Sequence, residues 1–163
     1  MRHPAPENRL VDVPGKPGSF AASPLRVFCG AALIGAFLLV FLHDVLFGIT
    51  VETTHLVAIG VGLYLAGATF AAFRLSRDFP NKSLGLCNLV TLGRLVIVGV
   101  FCIVVLAGIT PNWATFGIAA LALGLDGIDG WLARKQGLAS DFGARFDVEV
   151  DAIFALVLAI YAA

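Results

Sequence analysis

Apolar residues occur along this chain in long unbroken runs, not in the short alternations of a water-soluble fold. A polar stretch carrying Pro4, Pro6, Pro14, Pro17 and Pro24 gives way to the apolar run Val27–Leu42. A second run, Thr53–Phe73, has 21 residues without a formal charge and is followed by Arg74, Arg77 and Lys82. The third, Leu95–Leu125, has 31 uncharged residues interrupted at Thr110-Pro111-Asn112. Proline and asparagine there mark a turn, so this run predicts a hairpin of two helices. The last stretch, Ala152–Ala163, has 12 residues.

A helix needs about 20 residues to cross a bilayer. Counted back from the hairpin turn, the third helix begins near Leu89 and takes Arg94 into the span. Counted forward, the fourth runs to about Leu132 and takes in Asp126 and Asp129. The fifth has to reach back to about Ala144, drawing in Asp147, Glu149 and Asp151. No small-residue cleavage site promptly follows the first run, which is therefore read as a retained span and not a secretory signal. The expectation is an all-α, multi-pass transmembrane helix bundle of five spans behind a flexible tail, residues 1–25.

Composition agrees with a membrane protein. Hydrophobic residues make up 59% of the 163 and charged residues 13%, about half the charged share of a soluble domain; mean hydropathy is +0.93. A disordered chain, a nucleic-acid binder with a basic face and an ordinary soluble domain are excluded. Cys29, Cys87 and Cys102 lack CxxC spacing, so neither a disulfide framework nor a zinc site is indicated. Lysine and arginine collect in the tail, after the second run and after the fourth helix, while the connection near Asp44 and Glu52 and the Pro111 turn have none. By the positive-inside rule the N-terminus is cytoplasmic, and Arg94 and the membrane aspartates lie near the cytoplasmic face.

Five of the eight aspartates, Asp126, Asp129, Asp141, Asp147 and Asp151, fall within 26 residues. An ionised aspartate inside a span costs roughly 2.5–3.5 kcal/mol, so four in two helices need compensation. Asp126 and Asp129 are spaced i, i+3 and Asp147 and Asp151 i, i+4, each pair on one helical face. A lone aspartate near a helix end is ordinarily a snorkelling or capping residue; two pairs at one depth are a different matter. Turned toward each other, they would repel unless cations sat between them. All-oxygen ligands suit a hard divalent ion such as Mg²⁺, and no His or Cys in the cluster points to zinc or copper. A proton or divalent-cation transport path using the same carboxylates is the rival reading.

The run from Asp126 through Asp129, Gly130, Ala133, Arg134 and Gly143 to Asp147 and Asp151 fits D-x2-D-G-x2-A-R-x8-G-x3-D-x3-D at every fixed position. It resembles the signature of the CDP-alcohol phosphatidyltransferase family. Asn88, Thr91 and Arg94 similarly resemble the family's N-x-x-T-x-x-R element, one hairpin earlier. The resemblance implies transfer of a phosphatidyl-type group from a CDP-linked lipid alcohol to a second alcohol, with release of CMP, in phospholipid biosynthesis. It further implies that Asp126, Asp129 and Asp147 bind Mg²⁺ (or Mn²⁺), and that Asp151 is general base and also touches metal. Nucleotide and diphosphate would lie against Asn88, Thr91, Gly130, Arg134 and Ser140.

Read residue by residue, Gly130 and Gly143 allow close approach of backbone or ligand, or equally serve helix packing. Arg134 is a phosphate clamp or an inside-positive anchor. Arg94 is a carboxylate partner or a phosphate contact, and Glu149 is expected to pair with Arg145 or face the headgroups. The resemblance divides the chain into the tail, two additional N-terminal helices over 26–80, and a core over 85–163 matching the first three of the family's usual six core helices. That partial core is expected to be truncated and inactive alone. The expected partners are the CDP-linked donor, the alcohol acceptor and the bilayer, with no nucleic acid; a homodimer is compatible with such a chain.

Overall fold

The computed structural model describes the backbone of residues 23–78, 84–136 and 141–163, and their side chains other than those of 78, 129–136 and 141. The expected tail, apart from its last residues, lies outside that description, as does Ser140. Five helices follow one another: α1 (Pro24–Phe47), α2 (Thr54–Asp78), α3 (Leu86–Leu106), α4 (Trp113–Gln136) and α5 (Asp141–Ala162). No strand occurs among the described residues.

Local chemistry sets the helix ends. Ser23 caps α1 by accepting from the Arg26 amide at 3.4 Å, and Pro24 occupies the first turn, where its missing N–H costs nothing. At the other end Gly48, at φ +72°, lets the chain leave the helix, and the Ile49 amide donates to Asp44 Oδ1 at 3.0 Å. The break at Thr110-Pro111-Asn112 is the expected turn. Gly108 takes φ +64° just after α3, the left-handed conformation that suits glycine at a helix end. Asn112 Oδ1 then accepts from the Ala114 and Thr115 amides at 2.9 and 3.0 Å, while Thr115 Oγ1 accepts from the Asn112 amide at 3.0 Å. This reciprocal pair starts α4.

α3 is the central helix and packs against the other four. Its side chains are buried on nearly all sides from Leu92 to Val104, the pattern of a helix surrounded by protein. α1 and α2 cover it on one side. There a Cβ at Gly60 would collide with the Ile103 side chain, and one at Gly99 with Leu39. The Tyr64 hydroxyl donates to the Ala32 carbonyl at 3.0 Å. α4 and α5 pack along the other side, where Phe101 meets the rings of Phe154 and Tyr161 edge-on, each with centroids 5.8 Å apart.

From sequence alone, Gly60 and Gly62 with Ala66, Gly67 and Ala68 give α2 a small-residue surface suited to close helix packing, but these residues do not share one surface. Gly60 and Ala68 are buried, whereas Gly62 and Ala66 face outward. Phe37, Phe41, Leu63, Phe70 and Phe73 also point outward, an apolar exterior suited to lipid.

α1, α2 and α3 are long and apolar enough to cross a membrane, and α4 contributes a shorter apolar stretch, Trp113–Ile128. α5 carries Asp141, Arg145, Asp147, Glu149 and Asp151 in its first half, which sets it apart from the first three by composition. Together these helices make the chain an integral membrane protein. α2 continues past Phe73, and there Arg74 and Arg77 lie over the rings of Phe70 and Phe73, at 5.3 and 5.2 Å from the centroids. Long basic side chains can cover apolar surface in this way and still direct their charge outward.

Candidate active site

Asn88, Thr91 and Arg94 recur every three residues along α3, and all three are buried. The Thr91 hydroxyl donates back to the Cys87 carbonyl at 3.1 Å, which holds it along the helix. The Asn88 Nδ2 amide has no hydrogen-bond partner among the described residues. A buried amide donor left unmatched costs about 1–3 kcal/mol, so it marks a position where a polar group is wanted.

Arg94 gathers the carboxylates. Its side chain is 3% exposed, in the middle of the bundle. Nη1 lies 2.9 Å from Asp126 Oδ1 on α4 and 2.6 Å from Asp147 Oδ1 on α5, and Nη2 pairs with Asp151 Oδ1. A planar guanidinium offers five donors in a fixed fork, so one side chain can bind three acids arriving from two helices. Of the two roles open to it from sequence, Arg94 is a carboxylate partner.

The three acids are themselves 31–45% exposed, so the cluster is sealed on the α3 side and open on the other. One oxygen from each of Asp126, Asp147 and Asp151 lies within 4.8 Å of the others. Two oxygens on opposite sides of Mg²⁺ stand about 4 Å apart, twice the usual 2.0–2.1 Å bond. The donor set and its spread therefore fit a small hard cation. The i, i+4 spacing on α5 has the expected result, with both acids turned to the same point.

Asp129, Gly130, Ala133 and Arg134 lie on the α4 backbone, with their side chains outside the described residues, and Ser140 is outside them altogether. Gly143 falls in the first turn of α5 and is partly buried. Glu149 faces away from Asp147, as two-residue spacing on a helix requires, but its partner differs from the expected one. Arg74 Nη2 of α2 donates to Glu149 Oε1 at 3.4 Å, while Arg145 is exposed. No local sequence signal links positions 74 and 149. Helix α1 also reaches α5, where Phe28 meets Phe146 edge-on at 6.0 Å.

The architecture is thus a helical membrane protein in which three carboxylates from α4 and α5 gather on one arginine of α3. Residues 84–163 match the family model for CDP-alcohol phosphatidyltransferase. No curated protein and no solved structure gives a significant match. That family transfers phosphate-linked alcohol groups in phospholipid synthesis, from a CDP-alcohol donor to an alcohol acceptor in a lipid environment. The family is generally dependent on divalent metal, and the acidic cluster is where this chain would hold it.

Proposed function

We propose that the protein transfers a phosphatidyl-type group from a CDP-linked lipid alcohol to a second alcohol and releases CMP, with Mg²⁺ or Mn²⁺ as cofactor. The observation that carries this reading is the meeting of Asp126, Asp147 and Asp151, three positions of the signature, at one point beside Arg94. The partial exposure of these acids, 31–45%, supports it as well, since their oxygens are reachable from outside.

In this reading Asp126, Asp129, Asp147 and Asp151 hold the metal. When bound, it neutralises diphosphate charge and acts as a Lewis acid on the phosphoryl oxygens. Asp151 takes the proton of the acceptor hydroxyl as that oxygen bonds to the lipid-linked phosphorus. The bond from this phosphorus to the bridging oxygen breaks, and CMP leaves with the electron pair. General-base assistance of this kind contributes typically 10²–10⁴-fold. Asn88 and Thr91 bind the nucleotide from α3, and the unmatched Asn88 amide is a donor suited to it. Gly130, Arg134 and Ser140 complete the nucleotide and diphosphate contacts, with Ala133 and Gly143 keeping the helices close.

All five helices cross the bilayer in this reading, with the N-terminus and the acidic site toward the cytoplasm. At about 1.5 Å per residue, the 24 residues of α4 and 22 of α5 give rods of about 36 and 33 Å, enough to span.

The test is CMP release by a full-length version of the protein in lipid nanodiscs containing a CDP-linked diacylglycerol, with Mg²⁺ and a panel of alcohol acceptors. The expected result is acceptor-dependent CMP release that stops on chelation. Divalent-cation flux in liposomes without nucleotide dependence, and no CMP release with any acceptor, would overturn the reading in favour of a transport element.

A further inference from the structure

We propose that Arg94 is a built-in counter-cation of the acidic site, and that a divalent ion exchanges with its guanidinium for the carboxylates instead of binding alongside it. The inference rests on the metal reading above and concerns what this chain's own arginine does toward that metal.

Three observations carry it. Arg94 Nη1 contacts both Asp126 and Asp147, and Nη2 contacts Asp151, so the three acids that converge are all already engaged by one cation. These acids come from α4 and α5, two helices that each pack along α3; the guanidinium therefore bridges them at this level. Arg94 is almost fully buried while the acids are 31–45% exposed, so an incoming ion meets the carboxylates from the open side with the arginine behind them.

Electrostatics then decides between exchange and addition. Three carboxylates within 4.8 Å of one another would repel strongly without a cation, and the guanidinium supplies one while the site is free of metal. A divalent ion bound to the same acids would sit a few ångströms from a buried positive charge. Like charges at that range in a poorly screened interior oppose each other. Bringing in the ion weakens the arginine contacts, and the arginine in turn lowers the affinity for the ion. Arg94 is thus a positioning residue that keeps α4 and α5 in register before metal arrives and limits how tightly metal is held.

The experiment measures Mn²⁺ binding to the purified full chain by the loss of the free Mn²⁺ electron paramagnetic resonance signal, with thermal unfolding in chelator and in Mn²⁺. Arg94→Gln removes the charge; Arg94→Lys keeps it but cannot fork to three acids. Exchange predicts that Arg94→Gln binds Mn²⁺ about tenfold more tightly than the unaltered chain and Arg94→Lys by a smaller factor. It also predicts that Arg94→Gln unfolds at lower temperature in chelator and gains more from Mn²⁺ than the unaltered chain does. Should Arg94→Gln not fold in chelator, tighter Mn²⁺ binding by Arg94→Lys carries the same prediction. Unchanged or weaker Mn²⁺ binding by these variants, with the unaltered chain binding normally, overturns the exchange and leaves the metal site standing. Failure of the unaltered chain to bind Mn²⁺ removes both.

Discussion

Arg74 of α2 reaches Glu149 of α5 at 3.4 Å, so a helix that precedes the family-matched residues is tied by charge to the helix bearing Asp147 and Asp151. The two side chains are 35% and 42% exposed. Exposed pairs of this kind contribute roughly 0.2–1 kcal/mol. A double-mutant cycle with Arg74→Gln and Glu149→Gln, followed by denaturant unfolding in detergent, is expected to give a coupling in that range that shrinks as salt is raised. Zero coupling at low salt would mean that the pair does not fasten the two helices.

The aspartates are expected to separate by role. Asp151→Asn should lower CMP release by about 10²–10⁴-fold, the usual worth of a general base, while the donor KM shifts only a few-fold. Asp126→Asn should instead raise the metal concentration needed for half-maximal rate. Equal, mild effects on both measurements would contradict the assignment.

Two glycines two residues apart on α2 provide a packing test. A Cβ at Gly60 would meet the Ile103 side chain and, at 3.3 Å, the Gly99 carbonyl oxygen, whereas one at Gly62 meets nothing within 4 Å. Gly60→Ala is expected to destabilise the bundle by about 1–3 kcal/mol, the usual result of overpacking. Gly62→Ala should be neutral or slightly stabilising, because alanine is the better helix former. Thermal unfolding of the two variants side by side decides it.

Tyr64→Phe removes the hydroxyl that donates to the Ala32 carbonyl at 3.0 Å and leaves the ring in place. A loss of about 0.5–1.5 kcal/mol is expected, seen in unfolding and not in KM for the donor. A change in KM without loss of stability would mean that the α1–α2 contact reaches the site by another route.

The Pro111–Asn112 break, the shared face of Asp147 and Asp151 and the family of the second half were all legible in the sequence, because each is a matter of short spacing. The partner of Glu149 was not, since 75 positions separate it from Arg74 and only the packing of α2 on α5 brings them together. The rotation of α2 was equally hidden. A helix apolar on every side has no polar stripe to reveal which face turns inward, so Gly60 and Gly62 read alike until the neighbours are known. Arg94 stood between two roles for a related reason: its depth followed from counting, but its partner depended on which helices close around α3.

Far from the acids, the Tyr161 hydroxyl of α5 donates to Thr115 Oγ1 of α4 at 3.1 Å. It ties α4 to α5 about ten residues, or about 15 Å at 1.5 Å per residue, from the level at which Arg94 holds Asp126 of α4 and Asp147 and Asp151 of α5. The two helices are therefore fastened at both ends by different chemistry, a neutral hydrogen bond at one and charge at the other. Tyr161→Phe releases only the neutral fastening, and is expected to cost about 0.5–1.5 kcal/mol of stability while the acids stay gathered on Arg94.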